Sequence, residues 1–395
     1  MGKLNDYILS LESGSREKGG AISEGIPSIG AEHLNNEGGF NLDKEKLKYI
    51  SATHFKNMKT GKIRKGDILI VKDGATTGKI SYVDELFPFE SAAINEHIFL
   101  LRPNNNLFPK YLFYYLFSDI GQRHILSDFR GATVGGISRK FVNMPIFLPP
   151  LDIQQKIANI LDISSAALEK RRVQIDKLDL LVKSQFIEMF GDPVTNPRGW
   201  EKEQLSAFIT NANNGMARRG NDADGNIVLR LVELQDGFID YSQPNRISLT
   251  EAEKKRYLLY ENDFLFARVN GNPEYVGRCA VFHDIGECVY YNDHIIRVHF
   301  DESRLQGCFA SSLLNSQYGK RQMKSKIKTS AGQYTISQEG IGAIEVIVPT
   351  LSLQIQFASF VQQVEAQKSL LQASLDKLEL NHKSLMQKAF RGELF

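Results

Sequence analysis

Between residues 150 and 190 the apolar positions fall on alternating steps of three and four: Ile157, Leu161, Leu168, Ile175, Leu178, Val182 and Met189, with Phe190 at the end. Ser164, Arg171 and Gln185 are its polar breaks. The same spacing returns at Phe357, Val361, Val364, Leu371, Leu375, Leu378 and Leu385, closing on Phe390, with Lys368 and His382 as interruptions. A stripe this narrow, held for several heptads, predicts a coiled-coil seam rather than a helix lying on a globular core. At ~1.5 Å per residue each helix would be roughly 55–60 Å long.

The two stretches are copies. Leu148-Pro149-Pro150-Leu151-Asp152-Ile153-Gln154 is echoed by Val348-Pro349-Thr350-Leu351-Ser352-Leu353-Gln354. The match runs ungapped through Lys177-Leu178 with Lys377-Leu378 and Lys183-Ser184 with Lys383-Ser384, so one structural unit is used twice. Ahead of each helix lies a region of short β-type runs, such as Asp67-Ile68-Leu69-Ile70-Val71, separated by Gly, Asn and Pro turns. These regions echo each other more faintly. Lys65-Gly66-Asp67-Ile68 answers Glu261-Asn262-Asp263-Phe264, Asn95-Glu96-His97-Ile98 answers Asn292-Asp293-His294-Ile295, and Lys3-Leu4-Asn5-Asp6 answers Gln204-Leu205-Ser206-Ala207.

The predicted order is therefore a lobe (1–147), a helix (148–192), a second lobe (193–347) and a second helix (348–395). The first helix leaves lobe one and ends at lobe two, so the second must travel back to pack on it. This predicts an α+β chain in which two similar lobes are separated by a pair of long antiparallel helices, with a pseudo-two-fold internal repeat and Phe395 near Lys3.

Composition narrows the function classes. A length of 395 residues suggests two or three domains, and a net charge of +2 means that any basic surface must come from local clustering. Cys279, Cys288 and Cys308 lack Cys-x-x-Cys spacing and fit reduced thiols. No apolar run has membrane-spanning length and no signal-peptide core follows Met1, so a cytoplasmic protein without a membrane partner is expected.

Basic clusters punctuate both lobes: Lys56, Lys59, Lys62, Arg64 and Lys65 in the first, then Arg218, Arg219, Lys254, Lys255, Arg256, Lys320, Arg321, Lys324, Lys326 and Lys328 in the second. On loops they suit phosphate contacts, and neighbouring polar side chains could reach base edges. Lys72, Arg130, Arg139, Lys140, Arg268, Gln333 and Tyr334 complete the candidates for DNA contact. The competing reading of any one cluster is solvated surface charge.

Other motifs carry less. The glycine runs Lys72–Lys79 and Arg130–Gly136 lack the phosphate-loop spacing and the dinucleotide fingerprint, which leaves tight turns or close backbone approach. Asn272-Pro273-Glu274-Tyr275 is one residue from the Asn-Pro-Pro-Tyr of amino-methyltransferases, but no glycine-rich strand-turn-helix for a methyl donor accompanies it. Cys279, His283, Cys288 and His294 fit no ordinary zinc ribbon, and His97 stands opposite His294 in a lobe without cysteines. A buried or hydrogen-bonded histidine at a shared scaffold position is the preferred account. No catalytic centre is expected.

Leu148-Pro149-Pro150-Leu151, the helix ending Glu188-Met189-Phe190-Gly191-Asp192-Pro193, the following Gly199-Trp200 and the terminal Lys388-Ala389-Phe390-Arg391-Gly392-Glu393-Leu394 together resemble the specificity subunit of type I restriction-modification systems. The family's usual Glu-Gln pair is here Ile153-Gln154 and Leu353-Gln354. The resemblance implies that each lobe is a target recognition domain reading one half of a bipartite double-stranded DNA site. It implies that the helices are a spacer docking two modification (methyltransferase) subunits, which restriction subunits can join. It also implies no cofactor in this chain, with S-adenosylmethionine in the partner. The rival readings are a two-headed protein scaffold and a stand-alone DNA adenine methyltransferase.

Overall fold

The computed structural model describes residues 2–43, 45–131, 135–330 and 332–395. The chain divides into two compact units, one holding the chain up to Arg172 with Ala373–Phe395 and the other Val173–Gln372. Among the described residues no helix is long and apolar enough to cross a membrane.

Two helices dominate the element order, Leu151–Phe190 and Leu351–Arg391. Pro150 immediately precedes the first helix, where its missing amide hydrogen costs nothing because the first helical amides lack partners anyway, and Thr350 takes the matching place before the second, with Pro349 one residue further out. Inside each helix the expected stripe is the inward one: Ile157, Leu161 and Leu168 are buried on the first, Phe357, Val364 and Leu375 on the second, while Ile175, Leu178, Val182, Val361, Leu371, Leu378 and Leu385 are half-buried. The polar breaks lie on the same stripe, half-buried.

In the first unit the opening turns of the first helix pack against the closing turns of the second. Ile157 and Leu161 share a core with Met386, Ala389 and Phe390, and His382 meets Ser164 at 3.0 Å. The two segments are therefore antiparallel there. In the second unit the same sense holds at the other ends. Phe186 and Phe190 share a core with Phe357, and Lys368 pairs with Asp179 at 2.6 Å.

The lobe of each unit has one plan. In the first, Ile8–Ser13, Ile98–Pro103, Ile68–Val71 and Ile80–Tyr82 form an antiparallel four-stranded sheet in that spatial order. A smaller sheet sets Lys48–Ile50 antiparallel and Ala93–Ile94 parallel to Ile26–Ile29. In the second, Ile209–Asn214, Ile295–Phe300, Phe264–Ala267 and Cys279–Val281 repeat the four-stranded order, and Arg246–Ile247, Asn226–Leu229 and Val289–Tyr291 repeat the smaller one. Both central strands are buried at all four positions, which is why Ile68–Val71 and Phe264–Ala267 read as continuous apolar runs without alternation.

Each lobe is tied to a helix start by a buried glutamine. Gln154 accepts the Phe108 amide at 2.7 Å and donates to the Asn106 and Pro149 carbonyls at 3.1 and 2.9 Å. Gln354 repeats this with the Gln306 amide and the Arg304 and Pro349 carbonyls, at 2.9, 3.2 and 2.8 Å. Both side chains are almost fully buried, so the amide's donors and acceptor have no water to turn to and the bonds are obligatory.

Three basic clusters expected on loops lie wholly or partly on short helices. Lys56 is on Ala52–Asn57, Lys254 to Arg256 are on Glu251–Tyr257, and Lys320, Arg321 and Lys324 are on Gln317–Lys324. The reason is capping. The hydroxyls of Ser51, Thr250 and Ser316 each accept an amide from the first turn, and Thr250 with Glu253 forms a reciprocal capping box.

Candidate nucleic-acid interface

Where the central strand of each four-stranded sheet ends, one basic residue and one histidine are brought side by side. In the first lobe the Lys72 amide donates to the His97 carbonyl at 2.9 Å, and the Ile137 amide donates to the Lys72 carbonyl at 2.7 Å. In the second the Arg268 amide donates to the His294 carbonyl at 2.7 Å, and the Ile336 amide to the Arg268 carbonyl at 2.9 Å. These two backbone bonds are the same in both lobes.

The turn before each histidine is also shared. Asn95 Oδ1 accepts the His97 amide at 2.9 Å and Asn292 Oδ1 accepts the His294 amide at 3.1 Å. Such an Asx turn is what the Asn-acid-His spacing encodes. A glycine is required alongside. A Cβ on Gly14 would lie 2.0 Å from the Ile94 carbonyl oxygen, and one on Gly215 would lie 2.2 Å from that of Asn292. No side chain fits there.

Side chains on this frame differ. His97 Nδ1 meets Asp73 at 2.5 Å and its Nε2 is 3.8 Å from Glu96, while Lys72 lies over the Phe99 ring at 5.8 Å and Arg16 reaches Glu96 at 4.0 Å. In the second lobe Arg219 contacts both Asp293 at 2.6 Å and His294 Nε2 at 3.0 Å, and Arg268 donates to the Asp293 carbonyl at 3.0 Å. Burial lowers the His294 pKa, and Arg219 and Arg268 lower it further against the opposing pull of Asp293. A neutral imidazole held among guanidinium groups can donate or accept a hydrogen bond, which suits a base edge.

The remaining candidates sort by distance from this frame along the chain's own contacts. Arg139 donates to the Leu11 carbonyl and to Ser13 Oγ, at the end of the edge strand next to Gly14. Arg130 faces Asp128 at 3.7 Å and is bridged to Gly136, and Lys140 is exposed nearby in sequence. Ala132 to Val134 of the second glycine run lie outside the described residues. In the second lobe a small sheet, Val269–Asn270 with Gln333–Thr335 and Lys328–Ser330, sets Tyr334 opposite Asn270 and Lys328 opposite Thr335, and so joins Gln333, Tyr334 and Lys328 to Arg268.

Arg218 pairs with Glu253 at 2.8 Å and so links the Lys254, Lys255, Arg256 helix to the same side. Lys62 reaches back to the Lys56 carbonyl and lies over Phe55, while Lys56 and Lys59 are exposed. Arg64 and Lys65 are elsewhere. They precede Asp67 at the opposite end of the central strand from Lys72, with Lys65 paired to Glu85. Lys320 pairs with Asp236 and Lys324 with Glu274; Arg321 is exposed and Lys326 half-buried. His97, Asp73, Asp293, His294 and Arg16 are the members of the frame that a search for basic clusters passes over. The repeated Asn-acid-His was the signal for the two histidines and Asp293.

The motifs set aside on sequence have local explanations. Asn272 Oδ1 accepts the Glu274 amide and caps a short turn, and Tyr275 stacks under Arg278 at 4.0 Å. Cys279 is buried in a strand, His283 pairs with Glu261, and Cys288 is exposed. Among the described residues no three His, Cys, Asp or Glu side chains are grouped to hold a metal ion.

Comparison with known proteins agrees on one family. Residues 13–176 match the type I restriction modification DNA specificity domain. The chain is 27% identical over 391 residues to the type I restriction enzyme StySPI specificity subunit of Salmonella potsdam, covering 93% of this chain and 82% of that one. It is 25% identical over 393 residues to the EcoKI specificity subunit of Escherichia coli K12, with the same coverage. In fold it is similar to the type I restriction-modification S subunit from M. genitalium, with a TM-score of 0.57 at 15% identity, over 98% of this chain and 95% of that chain. A chain from a study of complex assembly and conformational transition in the type I system aligns with a TM-score of 0.58 at 17% identity, over 99% and 97% of the two chains.

Proposed function

We propose, from the premise that the chain belongs to the family of type I restriction-modification specificity subunits, that its two lobes each read one half of a bipartite DNA target through the Lys72–His97 and Arg268–His294 frames. The chain is the reader of its complex and not the enzyme. The observation that carries the assignment of the frames is their pairing: one identical set of backbone bonds presents different side chains in the two lobes. A shared scaffold with unlike heads is what two different half-sites require.

The domain limits follow as recognition lobes 1–147 and 193–347, with helical regions 148–192 and 348–395. The repeat is then a duplication, the helix pair a coiled-coil spacer that sets the gap between half-sites, and its outer faces the docking ground for two methylating subunits. Restriction subunits would join that assembly. Major-groove readers on one face of a duplex need centres about one helical turn apart or somewhat more. Insertion of four residues between 160 and 185 is expected to lengthen the unspecified gap and leave both half-sites unchanged, read from the methylated motif in host DNA. An unchanged gap would sink the spacer role, and an altered half-site would sink the division of labour between lobes and helices.

A further inference from the structure

The first unit holds a second concave site, of about 400 Å³, at the end of its sheet away from Lys72. Tyr82, which pairs with Ile68 at the start of the central strand, Phe113, Tyr114 and Phe117 form its aromatic lining. Glu37, Asp84 and Asp162 bring carboxylates to it, against the single cation Lys110. That lysine already shows what the site accepts: its ammonium is 2.8 Å from Asp162 and 5.8 Å from the Tyr82 ring centre.

The balance of charge remains negative. Asp162 is engaged by Lys110 and by the Tyr114 hydroxyl at 2.7 Å, whereas Asp84 accepts the Leu86 amide and Glu37 has no ion pair among the described residues. Burial raises the Tyr82 pKa, and Asp162, Asp84 and two further carboxylates push the same way. Phosphate is therefore repelled, and a cation flanked by rings and carboxylates is attracted. Leu86, 86% exposed, stands at the rim as an uncovered apolar contact.

The second unit does not repeat this lining. Helices Pro109–Phe117 and Gly307–Asn315 correspond, each followed by a capping serine, and they place Ser311, Ser312 and Asn315 where the first has Phe113, Tyr114 and Phe117. We infer that this aromatic and acidic pocket takes a Lys or Arg side chain from a methylating subunit, and so gives one of the two docked subunits a contact that the other lacks. The inference rests on the assembly proposed above.

The test measures association of the purified full chain with the methylation subunit of its own system, with on and off rates resolved. Glu37→Gln with Asp84→Asn keeps the Leu86 amide bond and removes two charges; Phe117→Ala removes one ring. Both variants are expected to speed dissociation of one subunit about tenfold and to leave affinity for target DNA unchanged. An unchanged dissociation rate in the charge variant overturns the inference even if association slows, because a general field acts on encounter rather than on residence. A wild-type chain that binds DNA but no methylation subunit would instead overturn the assembly itself.

Discussion

In the first lobe the histidine at the end of the central sheet faces a carboxylate, Asp73, with Lys72 turned over a phenylalanine ring. In the second the matching histidine faces Arg219, and Arg268 is turned to a backbone carbonyl. The frame beneath is the same in both because it is made of main-chain bonds and one Asx turn, which fix the asparagine and its neighbouring glycine but not the side chains of the basic residue or the histidine. The side chains at these positions therefore differ between the lobes while the main-chain bonds stay the same. The same residues hold the frame with their main chains and project unlike side chains from it.

The same comparison can be made at the other end of the central strand, and there the largest effect is expected. Arg102 forks onto Asp67 with two bonds of 2.7 Å, whereas in the second lobe Asp263 has Arg297 at 3.6 Å and shares the role with His299 at 3.3 Å. Asp67 is 1% exposed, so Arg102→Ala leaves a buried charge without its partner, a loss of ~3–5 kcal/mol. Arg297→Ala should cost less, because each aspartate keeps one backbone amide but only Asp263 also keeps a second side-chain partner, His299. Hydrogen exchange in Ile68–Val71 and Phe264–Ala267 separates the two; equal loss of protection would show that the pairs are equivalent after all.

At the proposed reading ends the expected effects are smaller and one-sided. Lys72→Ala should weaken binding by about 1–3 kcal/mol if it touches a base, and only on duplexes altered outside its own half-site; Arg268→Ala should do the same for the other half. Titrations on duplexes with one scrambled half-site measure this. If either substitution lowered affinity equally for every sequence and only reduced the salt dependence, that residue would be a phosphate contact.

The smallest effect compares the two seams. His382 meets Ser164 in the first unit, and two hundred residues away the corresponding positions hold Val182 and Val364. Burial lowers the His382 pKa, so the unfolded chain takes up this proton first as pH falls. Stability of the first unit should decline from about pH 6.5 down to the lowered folded value and then level off. His382→Val should flatten that window in thermal melts. An unchanged pH profile would place the titrating group elsewhere.

The helices were legible from sequence because heptad spacing is local and repeats many times; even the polar breaks Ser164, Lys368 and His382 fall on the inward stripe. The lobes were legible only in pieces. Ile68–Val71 announces itself, but its neighbours in the sheet come from residues 8–13 and 98–103, and the parallel pairing of Ile26–Ile29 with Ala93–Ile94 leaves no local trace. Ser51, Thr250 and Ser316 were readable as caps, yet the adjoining lysines drew attention to charge instead. For the candidate interface, Lys72 and Arg268 stood among the candidates outside the basic clusters, and nothing local in the sequence indicated that a histidine's main chain bonds to each. The acidic pocket could not be seen at all, since four separated segments build it.

The glutamines at the helix starts bear on how such a chain can be inherited. Gln154 and Gln354 bind only main-chain amides and carbonyls of the lobe they anchor, groups that every polypeptide supplies whatever its sequence. A genetic crossover near residue 150 or 350 would thus keep the glutamine anchor whatever lobe it joined, and the newcomer would have to match only the side-chain contacts around it, such as Tyr111 and Tyr115 against Phe390 and Phe309 against Phe190. The anchor is indifferent to lobe sequence, so under the proposed division of labour a new specificity would come by exchange of a whole lobe rather than by the slow accumulation of point changes.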